Sequence, residues 1–137
     1  MGQTLQSGVE VSSDAARLDV DAVHAFLSQS YWSPGIPREV LDRALKNSLC
    51  FGAYEGSRQV GFARVVTDRA TFAWLCDVFV DPAVRGGGLG TFLVGTATAH
   101  PDIADLRLVL GTRDAHELYR RFGFASLAAP ERWMERR

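Results

Sequence analysis

Several features that would direct the interpretation are scarce or absent in this chain of 137 residues. Its only cysteines, Cys50 and Cys76, lie in apolar runs and not at the turn-rich spacings of a disulfide framework, so we expect them to be reduced and buried. The net charge of −1 gives no electrostatic footprint for nucleic acid or an anionic membrane. No basic-then-apolar segment opens the chain, and no apolar run approaches the ~20 residues of a membrane span. A cytoplasmic protein that binds neither nucleic acid nor membrane is expected.

Repeats, low-complexity tracts and linkers are also missing from the sequence. Hydrophobic residues make up 47 % of the chain and charged residues 23 %, which is an ordinary globular balance. A chain of this length can bury a real core. We therefore expect one domain over residues 1–137.

The spacing of apolar residues predicts an alternation of helices and strands. Helices are expected after Asp19, around 40–45, from Leu89 to just before Pro101, and over 114–122. Strands are expected at 48–54, 59–66, 71–80 and 106–110, with another around 5–11 and one or two short strands in the tail to Arg137. Antiparallel hairpins followed by a β-α-β-α run predict a mixed α/β sheet.

The most informative segment joins the strand at 71–80 to the helix that starts at Leu89. Arg85 is followed there by glycines at 86, 87, 88 and 90. Glycine lets backbone N–H groups turn toward a ligand without a Cβ in the way, and a helix N-terminus favours negative charge. The segment therefore predicts a phosphate-binding loop.

Three alternatives to this interpretation differ in what they require. A nucleoside-triphosphate loop would end in Gly-Lys-Ser/Thr, and this one ends Gly88-Leu89-Gly90-Thr91, so it is excluded. A dinucleotide fingerprint would need glycine where Thr91 stands, and Asp105 fits its distal carboxylate only loosely. A glycine-rich turn without a ligand is weakened by the entropy that three adjacent glycines lose on ordering. The last two alternatives stay open.

Two segments together resemble one protein family. The first, Arg85-Gly86-Gly87-Gly88-Leu89-Gly90, matches Arg/Gln-x-x-Gly-x-Gly/Ala, and the second, Ala115 to Phe124, matches A-x-x-L-Y-x-x-x-G-F. With them the chain resembles the GCN5-related N-acetyltransferase (GNAT) superfamily over about 48–124. The resemblance implies an α/β (α+β) fold with a mixed, mostly antiparallel twisted sheet flanked by about four helices. It also implies acetyl-CoA as cosubstrate, no metal, and direct acetyl transfer to a primary amine without a covalent enzyme intermediate.

The resemblance also implies roles for particular residues. The pyrophosphate of coenzyme A would be held by the backbone of Arg85, Gly86, Gly87, Gly88, Leu89, Gly90 and Thr91. The pantetheine arm would pair with the strand edge of Val78, Phe79 and Val80, where the Val80 N–H is the candidate oxyanion donor. Tyr119 resembles the tyrosine that protonates the departing thiolate, with a plain core tyrosine as the alternative.

Two roles stay open for Asp77, which stands between Cys76 and Val78 in an otherwise apolar strand. It is either the base that deprotonates the acceptor amine or a structural acid satisfied by a backbone N–H or an arginine such as Arg64. His116, His24 and Asp68 are weaker candidates, and a water chain is a further one.

The acceptor is not identified by the sequence. Tyr31 and Trp32 either wall an acceptor pocket, with Trp74 nearby, or plug the core. A small-molecule or peptide amine is expected, a homodimer is left open, and a non-catalytic acyl-CoA sensor is the alternative function. The asparagine that the family often carries before the tyrosine helix is missing, and Thr112 or Asp114 is expected to cap that helix instead.

Overall fold

The computed structural model describes residues 3–4 and 8–137. Its strands form one six-stranded sheet in the order β1 to β6, in which neighbouring strands are antiparallel except for the parallel pair β5–β6. The strands are β1 (Gln3–Thr4), β2 (Glu10–Ser12), β3 (Leu49–Glu55), β4 (Arg58–Thr67), β5 (Phe72–Val80) and β6 (Arg107–Val109). The mixed, mostly antiparallel sheet that the sequence predicts is confirmed.

Four helices cover the two faces of this sheet. They are α1 (Val20–Leu27), α2 (Arg38–Lys46), α3 (Leu89–Thr98) and α4 (His116–Arg120). On one face, Val23, Leu27 and Leu41 of α1 and α2 pack with Cys50 and Phe62 of the sheet. On the other face, the buried side of α3 packs against sheet residues in a second hydrophobic core, which is larger than the first. None of the helices in the described part of the chain has the length and apolarity needed to cross a bilayer.

Strands β3 and β4 form the predicted hairpin. Glu55 pairs with Arg58 at its end, and Gly56 in the turn has a φ of +62°. That left-handed backbone is accessible to glycine at no steric cost. The turn sets the pairing at the end of the hairpin, and the register of the two strands then shifts between Ala53 and Tyr54.

The pairing of β4 with β5 is interrupted at one point. Arg64 pairs with Cys76 and Phe62 with Phe79, so Ala63 alone faces Asp77 and Val78. This two-against-one arrangement is a β-bulge, which bends the strand and locally disrupts the ladder. Asp77 has a φ of +53°, a left-handed conformation that aspartate tolerates better than most side chains.

Strand β5 separates from β6 on its other side. The two pair only over Phe72–Trp74 and Arg107–Val109, whereas β5 continues to Val80. Its second half therefore leaves β6 and opens a cleft in the sheet. The bulge lies within that unpaired half.

Three sequence expectations need correction, and a fourth falls partly on residues that the structure does not describe. The tail has no strand but a 3-10 turn at Pro130–Arg132, because Pro130 cannot donate a ladder hydrogen bond. Helix α4 is shorter than the expected 114–122, since Thr112 turns the chain before it. Cys76 is only half buried, because it faces the cleft. The strand expected at 5–11 lies partly outside the described residues, and Glu10–Ser12 is its described part.

Gly52 is required by a close approach within β3. A Cβ at this position would lie 2.2 Å from the phenol oxygen of Tyr54, which is almost fully buried. We expect Gly52→Ala to lower the free energy of unfolding by about 1–3 kcal/mol through overpacking. Urea denaturation measures this, with Gly111→Ala as the control because a Cβ there meets open space. Equal stability of the two variants would contradict the packing argument.

Candidate functional site

The loop between β5 and α3 is shaped by two glycines in left-handed conformation. Gly86 has a φ of +91° and Gly88, the N-cap of α3, a φ of +80°. A 3-10 turn at Pro82–Val84 precedes them, and the Asp81 side chain caps it by accepting from the Ala83 N–H. Left-handed residues of this kind occur in the turns whose successive backbone N–H groups form anion-binding concavities.

The N–H groups from Gly86 to Thr91 donate to no protein acceptor among the described residues. The first backbone bond of α3 is donated by Phe92 to the Gly88 carbonyl, 3.0 Å away. No side chain caps the helix, so its first turn keeps its unpaired donors and the positive end of its dipole. This arrangement suits an anionic group.

The Val80 N–H faces the cleft. Asp81 and Val60 lie opposite each other, and the Asp81 N–H donates to the Val60 carbonyl at 2.8 Å, so they form a hydrogen-bonded pair of the antiparallel ladder. Hydrogen-bonded and non-hydrogen-bonded pairs alternate along such a ladder, so the next pair, Gly61 with Val80, is non-hydrogen-bonded. The N–H and C=O groups of Val80 therefore point away from β4. On that outer side the Val80 carbonyl accepts from Arg85 Nε at 3.3 Å. The Val80 N–H points to the same side, toward the cleft.

A cavity of about 360 Å³ lies at the bulge, between the α1–α2 loop, β5 and the start of α4. Tyr119 and Asp77 are buried at its base. Its wall is completed by Tyr31, Trp32, Ser33, Arg64, Trp74, Leu75, Cys76, Val78, Gly111, Thr112, Asp114 and Ala115. The structure therefore brings Tyr31, Trp32, Asp77 and Tyr119, which are distant in sequence, to one cavity.

The Asp77 carboxylate joins two neighbours. Its Oδ2 accepts from Arg64 Nε at 2.7 Å and its Oδ1 accepts from the indole N–H of Trp32 at 2.8 Å. The Arg64–Asp77 ion pair is buried, with 16 % and 7 % of the two side chains exposed. A buried charge needs this kind of pairing and hydrogen bonding. The contacts correspond to the structural role that the sequence left open for Asp77.

The same network reaches helix α2. Arg64 Nη1 donates to Ser48 Oγ at 3.0 Å, and that hydroxyl donates to the Ala44 carbonyl at 2.7 Å. On the opposite side of the cavity, the Arg113 guanidinium lies 3.9 Å from the ring centroid of Tyr31, a cation–π contact. The α1–α2 loop is thus tied both to the bulge, through Trp32, and to the segment before α4, through Tyr31.

Tyr119 is held in an apolar environment. Its ring makes an edge contact with Phe124 at 5.9 Å between centroids. Burial, with a smaller contribution from Tyr31, raises the pKa of its phenol above the usual value, so the phenol keeps its proton at neutral pH. Burial also raises the pKa of the Cys76 thiol to about 12, which leaves very little reactive thiolate in the cavity.

The weaker candidates do not line the cavity at the bulge. His24 Nε2 lies 2.8 Å from the Ile36 carbonyl, and Asp68 accepts from the backbone of its own turn. His116 lines a second cavity beside β6, which Tyr119 also borders. Thr112 provides the expected cap by accepting from the Ala115 N–H at 3.0 Å. Nowhere in the described ranges do three or more His, Cys, Asp or Glu side chains come together as a metal site.

Sequence reasoning missed the contacts of Arg113 and Ser48. Arg113 contacts Tyr31 from about eighty positions away, and Ser48 joins the Arg64 network between two elements. Neither residue belongs to a local motif. The bulge at Asp77 also had no sequence signal beyond a single carboxylate in an apolar strand.

Residues 46–126 match the family model described as an acetyltransferase (GNAT) domain. A structure described as an acetyltransferase of the GNAT family, from Xanthomonas campestris pv. campestris, is 45 % identical with a TM-score of 0.93, covering 98 % of this chain and 95 % of that one.

Two further relatives are more distant. A Glycine max protein named histone acetyltransferase TAP1 is 31 % identical over 83 % of this chain and 55 % of its own. An acetyltransferase structure with acetyl-CoA from Clostridium acetobutylicum has a TM-score of 0.67 at 13 % identity, covering 100 % of this chain and 96 % of that one, and shares the fold. The chain spans between half and three-fifths of the length of the curated relatives it matches.

The Arg64–Asp77 pair gives a stability prediction. Arg64→Met leaves a buried carboxylate without its counter-charge, and we expect it to lower the free energy of unfolding by about 3–5 kcal/mol. Adding Asp77→Asn removes the stranded charge while keeping an acceptor for Trp32, so the double variant should be more stable than Arg64→Met alone. Denaturant unfolding of both variants checks this order, and the reverse order would rule out the ion pair as the cause.

Proposed function

Because the chain belongs to the acetyltransferase (GNAT) family, we propose that it transfers the acetyl group of acetyl-CoA directly to a primary amine. One observation carries the proposal. Val78, in the unpaired half of β5, lines the same cavity as the buried Tyr119 phenol, and β5 leads from there through Val80 to the loop of unpaired backbone donors. An acyl-CoA presents a thioester, an amide-bearing arm and a pyrophosphate in the same order.

The glycine loop fits the pyrophosphate. Its six N–H groups from Gly86 to Thr91 supply donors, and the N-terminus of α3 supplies partial positive charge. Left-handed Gly86 and Gly88 let the backbone approach a ligand without an intervening Cβ. Acetyl-CoA bound here would supply an activated acetyl thioester to the cleft.

The second half of β5 fits the pantetheine arm. Residues 75–80 have no partner in β6, so their outward backbone groups are available to the amides of the arm. The Val80 N–H points to this side and is our candidate donor to the oxyanion that forms at the thioester carbonyl.

The reaction needs one proton to leave the nitrogen and one to reach the sulfur. The neutral amine nitrogen attacks the thioester carbonyl carbon, and the C–S bond breaks as the tetrahedral intermediate collapses. We assign Tyr119 as the acid that protonates the departing thiolate. The proton lost by the nitrogen restores the phenol through solvent, so an amide and a free thiol are the products. The scarcity of Cys76 thiolate supports direct transfer over an acyl-cysteine intermediate.

Asp77 is the last residue whose role needs assigning. That it acts as the base stays a prediction. Its contacts with Arg64 and Trp32 support a second role, in which it positions neighbouring residues. In that role the carboxylate holds the bulge and fixes the loop carrying Tyr31 and Trp32. We propose that these two aromatic residues wall the acceptor pocket.

The proposed function is tested by mixing the protein with acetyl-CoA and a panel of amines while following free thiol and the mass of the products. Thiol release with acetylation of an amine is expected. A rise in melting temperature with acetyl-CoA but no thiol release from any amine would favour the non-catalytic sensor. No thermal shift at all would eliminate both functions.

The glycine loop gives a prediction about acetyl-CoA binding. We expect Gly88→Ala to cost about 1–2 kcal/mol of stability, because alanine is strained at positive φ, and to raise the Kd for acetyl-CoA about tenfold. Gly56→Ala is the matched control, since Gly56 has similar backbone geometry in a hairpin turn away from the cleft. Calorimetry should show weaker binding in the first variant only; equal weakening in both would refute the loop assignment.

Tyr119 gives a prediction about turnover. Removing its hydroxyl in Tyr119→Phe is expected to lower kcat about 100-fold, the usual contribution of a general acid, with little change in acetyl-CoA affinity. Tyr54→Phe is the control, because Tyr54 is also buried but lies outside the cavity. Unchanged turnover in Tyr119→Phe would remove the assigned role.

Asp77→Asn separates the two roles of that residue. Asparagine tolerates the left-handed backbone and can still accept from Trp32, but it cannot take a proton. We expect the KM for the amine to rise about tenfold through loosening of the charged contact, with a smaller fall in kcat. A fall in kcat of about 100-fold with the KM for the amine unchanged would instead identify Asp77 as the base.

A further inference from the structure

We propose that the acceptor is a primary monoamine carried by a short chain on a flat aromatic ring, and that Tyr31, Trp32 and Trp74 bind that ring. This inference rests on the proposed acetyl transfer and specifies its acceptor. It comes from the composition of the cavity mouth, the depth at which the reacting groups lie, and the balance of charge around them.

The mouth of the cavity is made of exposed aromatic rings. Tyr31 is 52 % exposed, Trp32 41 % and Trp74 45 %, and all three line the same cavity. Trp74 also pairs across the ladder with Val66, which is 37 % exposed. Two separate elements, the α1–α2 loop and the β4–β5 ladder, thus bring large apolar side chains to one opening.

Aromatic rings left this exposed around a cavity gain free energy when a ligand covers them. Tyr31 and Trp32 lie edge to face, with ring centroids 5.0 Å apart and planes at 84°. Perpendicular ring surfaces let a flat guest stack on one and meet the edge of the other. A flat ring is therefore favoured over a bulky saturated group of similar hydrophobicity.

The reacting groups lie deeper than the aromatic mouth. Tyr119 is 9 % exposed and Asp77 is 8 % exposed, and both line the same cavity. A ligand whose ring covers the mouth must reach inward with its amine to meet the thioester beside Tyr119. This depth difference requires a short spacer between the ring and the nitrogen.

The charges around the cavity disfavour a polycation. Arg64 pairs with Asp77, which leaves Asp114 as the one lining carboxylate without an arginine of the lining beside it. One remaining negative charge is too little to attract several ammonium groups. A singly charged amine fits better than a polyamine or a lysine-rich peptide.

The first experiment compares kcat/KM for matched acceptors by thiol release. The acceptors are 2-phenylethylamine, 2-cyclohexylethylamine, 2-methoxyethylamine and a lysine-rich peptide. We expect the phenyl compound to exceed the methoxy compound at least about tenfold and to exceed the cyclohexyl compound. Trp74→Ala should reduce the phenyl-to-methoxy ratio, whereas Trp133→Ala, which removes a 41 % exposed tryptophan outside the cavity, should preserve it. Any of three results overturns the inference. They are a phenyl-to-methoxy ratio of kcat/KM near one, a ratio that Trp74→Ala leaves unchanged, and a higher kcat/KM for the lysine-rich peptide than for 2-phenylethylamine.

The second experiment measures binding without turnover. Trp32 and Trp74 line the cavity, so their fluorescence should change saturably with 2-phenylethylamine and not with 2-methoxyethylamine. The change should be smaller in Trp74→Ala and retained in Trp133→Ala. Saturable binding without acetylation of any amine would refute the acetyl transfer but keep the aromatic site. Acetylation of other amines without a saturable signal from the phenyl compound would refute the aromatic site alone.

Discussion

The buried ion pair between Arg64 and Asp77 links the parts of this protein that form the cleft. Asp77 occupies the bulge of β5 in a left-handed conformation, and its carboxylate accepts from both Arg64 and Trp32. Arg64 in turn donates to Ser48, which follows α2 and donates to the Ala44 carbonyl of that helix. Because an unpaired buried charge is costly, these elements are coupled: the bulge, the central strand and the loop with the aromatic residues hold their places together.

The cleft follows from how one strand is paired along its length. In its first half β5 is hydrogen-bonded on both sides; in its second half it has left β6. The released backbone groups continue into a loop whose glycines expose further N–H groups at the start of α3. Unpaired backbone groups thus lie at two places along the chain, on the outer edge of β5 and at the N-terminus of α3, separated by a turn whose own N–H groups are hydrogen-bonded. Such groups bind an extended ligand with amides and phosphates without using charged side chains.

The elements that the sequence predicted well were those with strong local patterns. The hairpin around Gly56, the long strand ending at Val80 and the helix after the glycine loop were confirmed because periodicity and turn residues act over a few positions. The tail strands were wrong because apolar content alone does not provide a partner strand. At the site, the sequence offered Arg64 as one possible partner of Asp77 but could not choose it over the other arginines, because strand register determines which arginine faces the carboxylate.

The sequence by itself determined the loop between β5 and α3. The glycines at 86, 88 and 90, the strand before them and the helix after them form one continuous segment, so the local chain specifies a loop with unpaired backbone N–H groups. Only the tertiary structure decided the cavity at the bulge, where Tyr31, Trp32, Trp74 and Tyr119 come from three regions of the chain. Their meeting depends on the bulge at Asp77 and on long-range contacts, which arise when the elements pack and leave no pattern in neighbouring residues.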